Sequence, residues 1–159
     1  MKESKVKRVE DSMVETVHIV RPTHLNPAGR LFGGVLMQWI DEAAGIVANR
    51  HCMSNITTAS VDNLRFIRGA YQDDMVVIRA KMTYAGWSSM EIRVDTYVED
   101  LTGIRKPINR AYFTVVALDE TDRPKEVPGL LIETENEKAE WEGALKRREN
   151  RLMRKEEGF

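Results

Sequence analysis

NPAGRLFGGVLMQWIDEAAGIVA, residues 26–48, is the stretch of sequence that decides the fold of this chain. A Gly-Gly pair opens a run that is apolar around most of a helical circumference, yet the run contains Asp41 and Glu42. A helix with this pattern belongs in a protein core. A carboxylate there is unfavourable by several kcal/mol unless it is hydrogen-bonded, paired or used for chemistry. The two acids therefore mark this helix as a candidate functional element.

The polar residues of the helix fall on one side of it. They follow one another at spacings of three or four, which is one narrow stripe of a helix: Gln38, Asp41, Glu42, Gly45 and Asn49. We predict that this stripe faces a cleft, a ligand or another subunit. At about 100° per residue, Asp41 and Glu42 lie on opposite flanks of the line through Gln38 and Gly45. The spacing alone does not choose between the two acids.

Length and composition indicate one ordinary globular domain. The chain has 159 residues, 42% hydrophobic and 31% charged, with a formal charge of -1. Without a basic bias, nucleic acid is not expected as a partner. The charged start, MKESKVKRVEDS, has no apolar leader, and no stretch approaches the about 20 apolar residues of a membrane span. We expect a cytoplasmic protein without a membrane partner.

Metal and thiol chemistry are not indicated. Cys52 is the only cysteine, which excludes an intrachain disulfide. The three histidines, His18, His24 and His51, lack the spacing of a metal site, so we expect no metal and interpret them as surface or interface residues.

The chain divides into an arm, a domain and an extension. We predict a flexible arm over residues 1–12, a single domain over 13–130 and a charged helical extension over 131–159. Within the domain, a first strand precedes the helix, and four strands follow it in meander order, with a bulge between Val61 and Leu64. Ala85–Ser88 is a predicted hairpin turn. This order favours an α+β fold with an antiparallel sheet wrapped around the long helix.

The extension is predicted to be a solvated helix from about Glu133. Its acids come first and its bases later, which complements a helix dipole. Trp141, Leu145 and Leu152 form a thin apolar stripe that could dock on the domain or on a neighbour. A tail that binds nucleic acid is the less favoured alternative.

Four segments together resemble a known family: HLNPAGRLFGGVLMQWIDEAAGIVA, DNLRFIR, AGWSSMEIRVDTYVED and INRAYFTVVALD. They are similar to the hotdog-fold acyl-CoA thioesterases of the YciA and brain acyl-CoA hydrolase group, over roughly residues 13–120. The Asn-x-x-Gly-x-x-Phe-Gly-Gly loop, the helix Asp and the Gly-x-Ser-Ser turn occur here in the family's order. The resemblance implies a single hotdog domain.

The resemblance also implies an activity, hydrolysis of acyl-CoA to free acid and CoA. The helix carboxylate of the family matches Asp41 rather than Glu42. The loop asparagine matches Asn26, which in the family lies across the subunit interface from the partner's Asp. Members are dimers of hotdogs, often trimers of dimers, so a hexamer is expected. No separate cofactor is implied, because CoA is part of the substrate and product.

CoA binding is implied at the hairpin turn. Gly86, Ser88 and Ser89 match residues that line the path of the pantetheine and phosphates, and Arg65 and Arg68 are further candidates. Relatives often carry Arg directly after the turn glycine, where this chain has Trp87. An indole there could stack on adenine, but it cannot pair with a phosphate.

The residues themselves are consistent with this chemistry. The backbone N–H groups of Gly33, Gly34 and Val35 begin the helix and are expected to polarise the thioester carbonyl. Asp41 would act as general base on water or as nucleophile through an anhydride, and the sequence leaves both open. Two other functions fit the same fold less well. One is a hotdog module that binds acyl-CoA without cleaving it. The other is a hydratase or dehydratase, which needs a histidine beside the acid, and His24 lies in the wrong loop for that role.

Overall fold

The computed structural model describes residues 5–159 and contains two long helices and seven strands. The helices are α1 (Gly33–Cys52) and α2 (Glu135–Glu157). The strands are β1 (Val6–Arg8), β2 (Val14–Ile19), β3 (Asn55–Phe66), β4 (Met75–Ala85), β5 (Ser89–Glu99), β6 (Arg105–Leu118) and β7 (Gly129–Leu131). No helix in the described part of the chain is long and apolar enough to cross a membrane.

Five strands form one antiparallel sheet in the order β2-β4-β5-β6-β3. The predicted meander holds for β4, β5 and β6, but it is wrong for β3, which pairs with β6 at the far edge rather than with β4. The reason is α1, which leaves the β2 edge and delivers the chain to the opposite edge. Because its two flanking strands lie at opposite edges, α1 crosses the whole inner face of the sheet.

Helix α1 forms the centre of the core, as its apolar pattern predicts. Its buried positions repeat every three or four residues: Leu36, Trp39, Ile40, Ala43, Ala44, Val47 and Ala48. They pack against alternate residues of the sheet's inner face, such as Ile92, Val94 and Phe113. At its end, Met53 adopts a left-handed φ of 54° and donates its N–H to the carbonyl of Asn49.

The predicted bulge in β3 is confirmed. The register with β6 shifts between Asp62 and Arg65, and Asn63 has a φ of 57°. An earlier shift lies between Thr58 and Ser60. The bulge explains why Val61 and Leu64 both pack against the core despite their odd spacing.

The N-terminal segment is folded onto the domain, which corrects the expected flexible arm for residues 5–12. Strand β1 pairs in parallel with β7, and Val9 and Ser12 are buried. Lys7 donates to the carbonyl of Arg50 at 2.6 Å, which joins the segment to the end of α1. Three-residue strands without periodicity give no sequence signal, which is why this pairing escaped prediction. Residues 1–4 lie outside the described residues.

Helix α2 lies across the outer face of the sheet and is held there by ion pairs. Glu91, only 2% exposed, accepts hydrogen bonds from Arg147 at 2.7 and 3.0 Å and from Thr83 at 2.7 Å. Asp62 accepts from Arg151 at 2.7 Å and from Arg154 at 2.8 Å. Charged residues that look solvated in the sequence are therefore the contacts that dock this helix.

The apolar stripe of α2 docks the helix only in part. Trp141 packs on Tyr84 with ring centroids 4.5 Å apart, but Leu145 and Leu152 remain 44% and 51% exposed. The helix begins close to the predicted position, at Glu135. A capping box starts it, in which the hydroxyl of Thr134 accepts from the N–H of Glu137 at 3.1 Å.

Candidate active site

The loop before α1 is a tight turn built on the side chain of Asn26. Its Oδ1 accepts hydrogen bonds from the backbone N–H groups of Ala28 at 3.0 Å and Arg30 at 3.1 Å. Gly29 has a φ of +78°, the left-handed conformation that glycine adopts without strain. Two N–H donors fix the oxygen of the amide, so the Nδ2 group of Asn26 faces away from the turn and has no acceptor among residues 5–159.

The start of α1 offers two free backbone donors rather than three. Among the described residues, the N–H groups of Gly33 and Gly34 have no acceptor, as is normal for the first positions of a helix. The N–H of Val35 donates to the carbonyl of Phe32 at 3.0 Å. The expectation that Val35 also presents a free donor is therefore wrong, because the first turn of the helix uses it.

Both glycines lie under aromatic rings. A Cβ atom on Gly34 would come within 2.7 Å of the Phe32 ring, and one on Gly33 would lie 3.6 Å from the ring of Phe66. A side chain at position 34 would therefore displace the ring of Phe32, which is 54% exposed. At Gly33, a Cβ atom would make an ordinary van der Waals contact with the ring of Phe66, which is 52% exposed.

Asp41 lies on the exposed side of α1 with one oxygen held. Its Oδ1 accepts a hydrogen bond from the hydroxyl of Thr58 on β3 at 2.7 Å, and its Oδ2 has no hydrogen-bond partner in the described part of the chain. The neighbouring Glu42 is also exposed and accepts from Gln38 at 3.1 Å. The predicted polar stripe is exposed along its length except at Gly45, which is half-buried. Among the described contacts of this stripe, Asp41 alone is bonded to a strand, while Asn49 donates to the carbonyl of Ser54 in the loop after the helix.

Asn26 and Asp41 open into different depressions of one chain. We call the first the Asn26 groove, a space of about 350 Å³ whose lining includes Asn26, Gly33, Leu36, Phe66 and Arg68. We call the second the Asp41 groove, a more open space of about 710 Å³ whose lining includes Asp41, Glu42, Ile46 and Thr58. A single chain therefore separates the predicted carbonyl donors from the predicted carboxylate.

The predicted CoA-binding residues are separated in the same way. Arg68 lines the Asn26 groove. The hairpin belongs to the other half of the sheet, because Ser89 pairs with Val116 and Val116 with Thr57, next to Thr58. These two ends of the sheet lie more than about 20 Å apart along the strands. One chain does not bring its arginine and its hairpin together.

Arg65 and the hairpin have structural contacts of their own. Arg65 is opposite Arg110, whose guanidinium binds Asp95 on the outer face, so Arg65 lies on the side of α2 rather than in either groove. In the hairpin, the carbonyls of Trp87 and Ser88 accept from the N–H groups of Val127 and Ala117 at 2.8 and 2.9 Å. The N–H of Gly86 closes the turn on the carbonyl of Ser89 at 2.8 Å, and the Trp87 side chain is 64% exposed.

Comparison with known sequences identifies the family. Residues 28–104 match the family model described as Thioesterase superfamily. The mouse cytosolic acyl coenzyme A thioester hydrolase is 39% identical over 137 residues, 84% of this chain and 36% of that protein. An uncharacterized acyl-CoA thioester hydrolase of Bacillus subtilis strain 168 is 38% identical over 147 residues, 92% of this chain and 85% of that protein. The chain belongs to the acyl-CoA thioester hydrolases.

The chain spans about a third of the mouse hydrolase but most of the bacterial one. Solved structures of this hydrolase family have the same fold. The acyl-CoA hydrolase of Staphylococcus aureus in complex with butyryl coenzyme A, coenzyme A and coenzyme A disulfide has a TM-score of 0.90, with 34% identity over 96% of this chain and 94% of that one. A hexameric acyl-CoA thioesterase without ligand also has a TM-score of 0.90, with 36% identity over 94% of this chain and 97% of that one. The hotdog fold is thereby confirmed.

Two of the three histidines of this chain pack against α1, and the third, His51, lies within it. His18 stacks on Trp39 with centroids 4.3 Å apart, and His24 meets the same ring edge-on at 5.0 Å. His51 is fully buried, which corrects its interpretation as a surface or interface residue, and one ring nitrogen lies 2.8 Å from the carbonyl oxygen of Pro128. Burial lowers the pKa of both His18 and His51.

Thr58, which donates to Asp41, is a candidate site residue that sequence reasoning missed. It occupies an inner-face position of β3, opposite the buried Val115, where an apolar residue is expected. The available signal was a polar residue at a core-facing position of β3, the strand that follows the helix with Asp41. The bulge beside it hid the alternation that would have exposed this signal.

Proposed function

We propose that this protein hydrolyses acyl-CoA thioesters to a carboxylic acid and CoA, in a site formed by two copies of the chain. The observation that carries the proposal is the division of the site. Free donors at Asn26 and Gly33 share one groove, and Asp41 with one free oxygen lies in another. A twofold axis that brings the Asn26 groove of one copy onto the Asp41 groove of the other would complete both sites at once.

The donors suit the charge that develops on a thioester carbonyl. Attack on the carbonyl carbon places negative charge on its oxygen, and the Nδ2 group of Asn26 and the N–H of Gly33 would donate to that oxygen. Because Oδ1 of Asn26 is bound by the turn, its amide can present only N–H donors to the groove. The turn thus orients the amide before substrate arrives.

Asp41 would supply the base. Thr58 holds its Oδ1, so Oδ2 is free to take a proton from the water whose oxygen attacks the carbonyl carbon. The carbon–sulfur bond then breaks, and the sulfur leaves as a thiolate that is protonated to CoA. The same free oxygen would serve if Asp41 attacked the carbonyl itself and water then hydrolysed the anhydride.

Known relatives support these three residues. The Staphylococcus aureus hydrolase has been solved with alanine in place of an asparagine, an aspartate or a threonine. In that chain the three positions are separated by 15 and 17 residues, as are Asn26, Asp41 and Thr58 here. The residue types and both intervals agree.

The same twofold arrangement would assemble the CoA site. Arg68 and Asn26 belong to one half of the chain, and Asp41 and the hairpin Gly86–Ser89 belong to the other. A twofold partner that joins the catalytic halves would also bring a hairpin toward the Arg68 groove. Hexameric thioesterases among the related structures support further assembly into a trimer of dimers. The mouse relative is named cytosolic, which supports a cytoplasmic location.

Mixed oligomers test the shared site. We expect Asp41→Asn and Asn26→Ala each to lower thiol release from acyl-CoA by about 10²-fold or more. When the two inactive variants are unfolded together and refolded, half of the dimers pair an intact Asp41 with an intact Asn26 at one of two sites. Activity should then return to about a quarter of the wild-type value.

The outcomes separate the hypotheses. Glu42→Gln is the matched control, since it changes the adjacent acid and should keep most activity. If mixing restores nothing although both variants form oligomers, the site lies within one chain. If no acyl-CoA of any chain length is hydrolysed but CoA still binds, the protein is the binding module rather than an enzyme.

A further inference from the structure

His51 is a fully buried histidine near the end of α1 that the proposed mechanism does not use. Its Nε2 lies 2.8 Å from the carbonyl oxygen of Pro128. Because a carbonyl oxygen only accepts, Nε2 carries the proton of the neutral ring and donates to that oxygen. The second ring nitrogen, Nδ1, is buried and has no hydrogen-bond partner among residues 5–159. The bond to Pro128 is therefore the one hydrogen bond of this ring in the described part of the chain.

Pro128 ends a segment, residues 124–128, that lies between the hairpin and the end of α1. On the hairpin side, the N–H of Val127 donates to the carbonyl of Trp87 at 2.8 Å. On the helix side, the carbonyl of the next residue, Pro128, is held by His51. A residue before proline is restricted to extended backbone, and the proline ring fixes its own φ. These restrictions stiffen the two residues that join the two bonds.

We propose that His51 is a positioning residue, which holds the hairpin in place through Pro128 and Val127. The proposal rests on the proposed function and deepens it, because that function places the hairpin at the CoA site. Among the hydrogen bonds of the described residues, the bond from His51 is the only one from a side chain to residues 124–128. Two residues of chain and one imidazole thus join the hairpin to the helix that carries Asp41.

The surroundings of His51 favour the neutral ring. Burial lowers the pKa of His51, and the ammonium group of Lys7 on β1 adds to this effect. The bond to Pro128 and the carboxylate of Asp11 act in the opposite direction without outweighing burial. The two charged residues of the 124–128 segment are exposed to solvent: Lys125 and Glu126. The segment therefore brings no carboxylate to an imidazolium at this position.

Protonation of His51 should release the segment. An imidazolium in the closed form would bury a charge and an unpaired Nδ1–H, whereas a ring that opens to water avoids both costs. The opened form, with the ordinary pKa of about 6.5, gains population by up to about 25-fold between pH 7 and pH 5. The hairpin then loses one of its supports as the pH falls.

Hydrogen exchange tests this proposal on the full chain and without an activity assay. Mass spectrometry follows three peptides: residues 124–131, the hairpin at 85–90 and the central strand at 91–98. In the wild type, protection of the first two should fall by up to about 25-fold from pH 7 to pH 5, after correction for the intrinsic exchange rate. The third peptide reports global opening and should change less.

Two substitutions separate the hydrogen bond from the titration. His51→Leu keeps an apolar side chain but removes the donor, and it should lower protection of the segment and the hairpin about fivefold at pH 7. His51→Gln can still donate to Pro128 and does not titrate, so it should keep the protection at pH 7 and lose the pH dependence. His18→Gln removes the other histidine whose pKa is lowered, and as the matched control it should retain the wild-type pH dependence in these two peptides.

The exchange patterns decide the proposal. A pH dependence that survives in His51→Gln overturns it, and so does a loss of protection in His51→Leu that spares the hairpin. Equal losses in all three peptides would also overturn it, because they would give His51 a purely global role in stability.

Addition of CoA separates this proposal from the proposed function. Because a ligand stabilises the form that it binds, CoA should raise the protection of the hairpin and of residues 124–131 in the wild type. If CoA leaves both peptides unchanged while the free proteins follow the expected pattern, His51 still positions the hairpin. That result would refute only the placement of CoA at the hairpin.

Discussion

The two faces of the sheet are covered by helices that are held in opposite ways. On the inner face, α1 packs through fully buried apolar residues such as Ile40 and Val47 against Ile92 and Val94. On the outer face, α2 buries a single residue completely, Ala144, and docks through arginines on buried or half-buried carboxylates. The helix with the apolar pattern carries the candidate site, and the helix with the charged pattern covers the back of the sheet.

The two kinds of contact should lose stability differently when they are mutated. Apolar packing loses free energy in proportion to the area and volume removed. A buried ion pair adds little net stability while both partners are present, but removing one partner leaves a charge without compensation. The inner face should therefore weaken gradually under mutation, and the outer face should weaken abruptly at a few residues.

The largest expected effect is at Glu91. Glu91→Ala leaves Arg147 against the ring of Tyr112 without its carboxylate, and we expect a loss of about 3–5 kcal/mol in the free energy of unfolding. Urea denaturation measures it. Glu142→Ala, an exposed acid on the same helix, is the control and should stay within about 0.5 kcal/mol of wild type. Equal effects of the two variants would mean that α2 is a solvated helix.

The corresponding change on the inner face is Ile40→Ala. Ile40 is fully buried in the middle of α1, and the substitution should lower the free energy of unfolding by about 3 kcal/mol. The intermediate Ile40→Val should lie near about 1 kcal/mol, since packing loss follows volume. A loss at valine as large as at alanine would contradict gradual weakening of this face.

The smallest expected effect is the pH dependence contributed by His51. Burial holds the pKa of His51 below its ordinary value of about 6.5, so the folded protein binds fewer protons than the unfolded chain in that range. The contribution of His51 to the free energy of unfolding is therefore fully present above its ordinary pKa of about 6.5. It is lost as the pH falls toward the lowered pKa of the folded protein. Unfolding free energies at pH 7 and pH 5 should differ less in His51→Gln than in wild type. The half-buried His18 also has a lowered pKa and contributes pH dependence of the same sign in both proteins. Parallel pH profiles of the two proteins would exclude a role for His51.

Elements with strong local patterns were predictable from the sequence. The apolar period of α1, the alternation of β4 and β5, the turn between them and the parity slip in β3 are all found in the structure. These signals come from residues a few positions apart. The resemblance to a family then distinguished Asp41 from Glu42, which geometry alone could not do.

Contacts between distant residues were not predictable. Arg147 and Glu91 are 56 positions apart, and Arg151 and Asp62 are 89 apart, so no local pattern joins them. The pairing of β3 with β6 and the bond from Thr58 to Asp41 depend on the same long-range closure. The sequence also predicted three free N–H donors at the start of α1, and the structure has two. The N–H of Val35 donates to the carbonyl of Phe32 within the first turn.

Asn26 has one consequence for how variants of this protein are interpreted. The oxygen of its amide builds the loop, and its nitrogen is left for the groove. A residue such as aspartate or serine could keep the loop, since either supplies an oxygen to the turn, but neither supplies the NH₂ donor. Such a protein would express, fold and melt like its parent. Screens that score abundance or thermal stability would report it as neutral, and only a turnover assay would detect the defect.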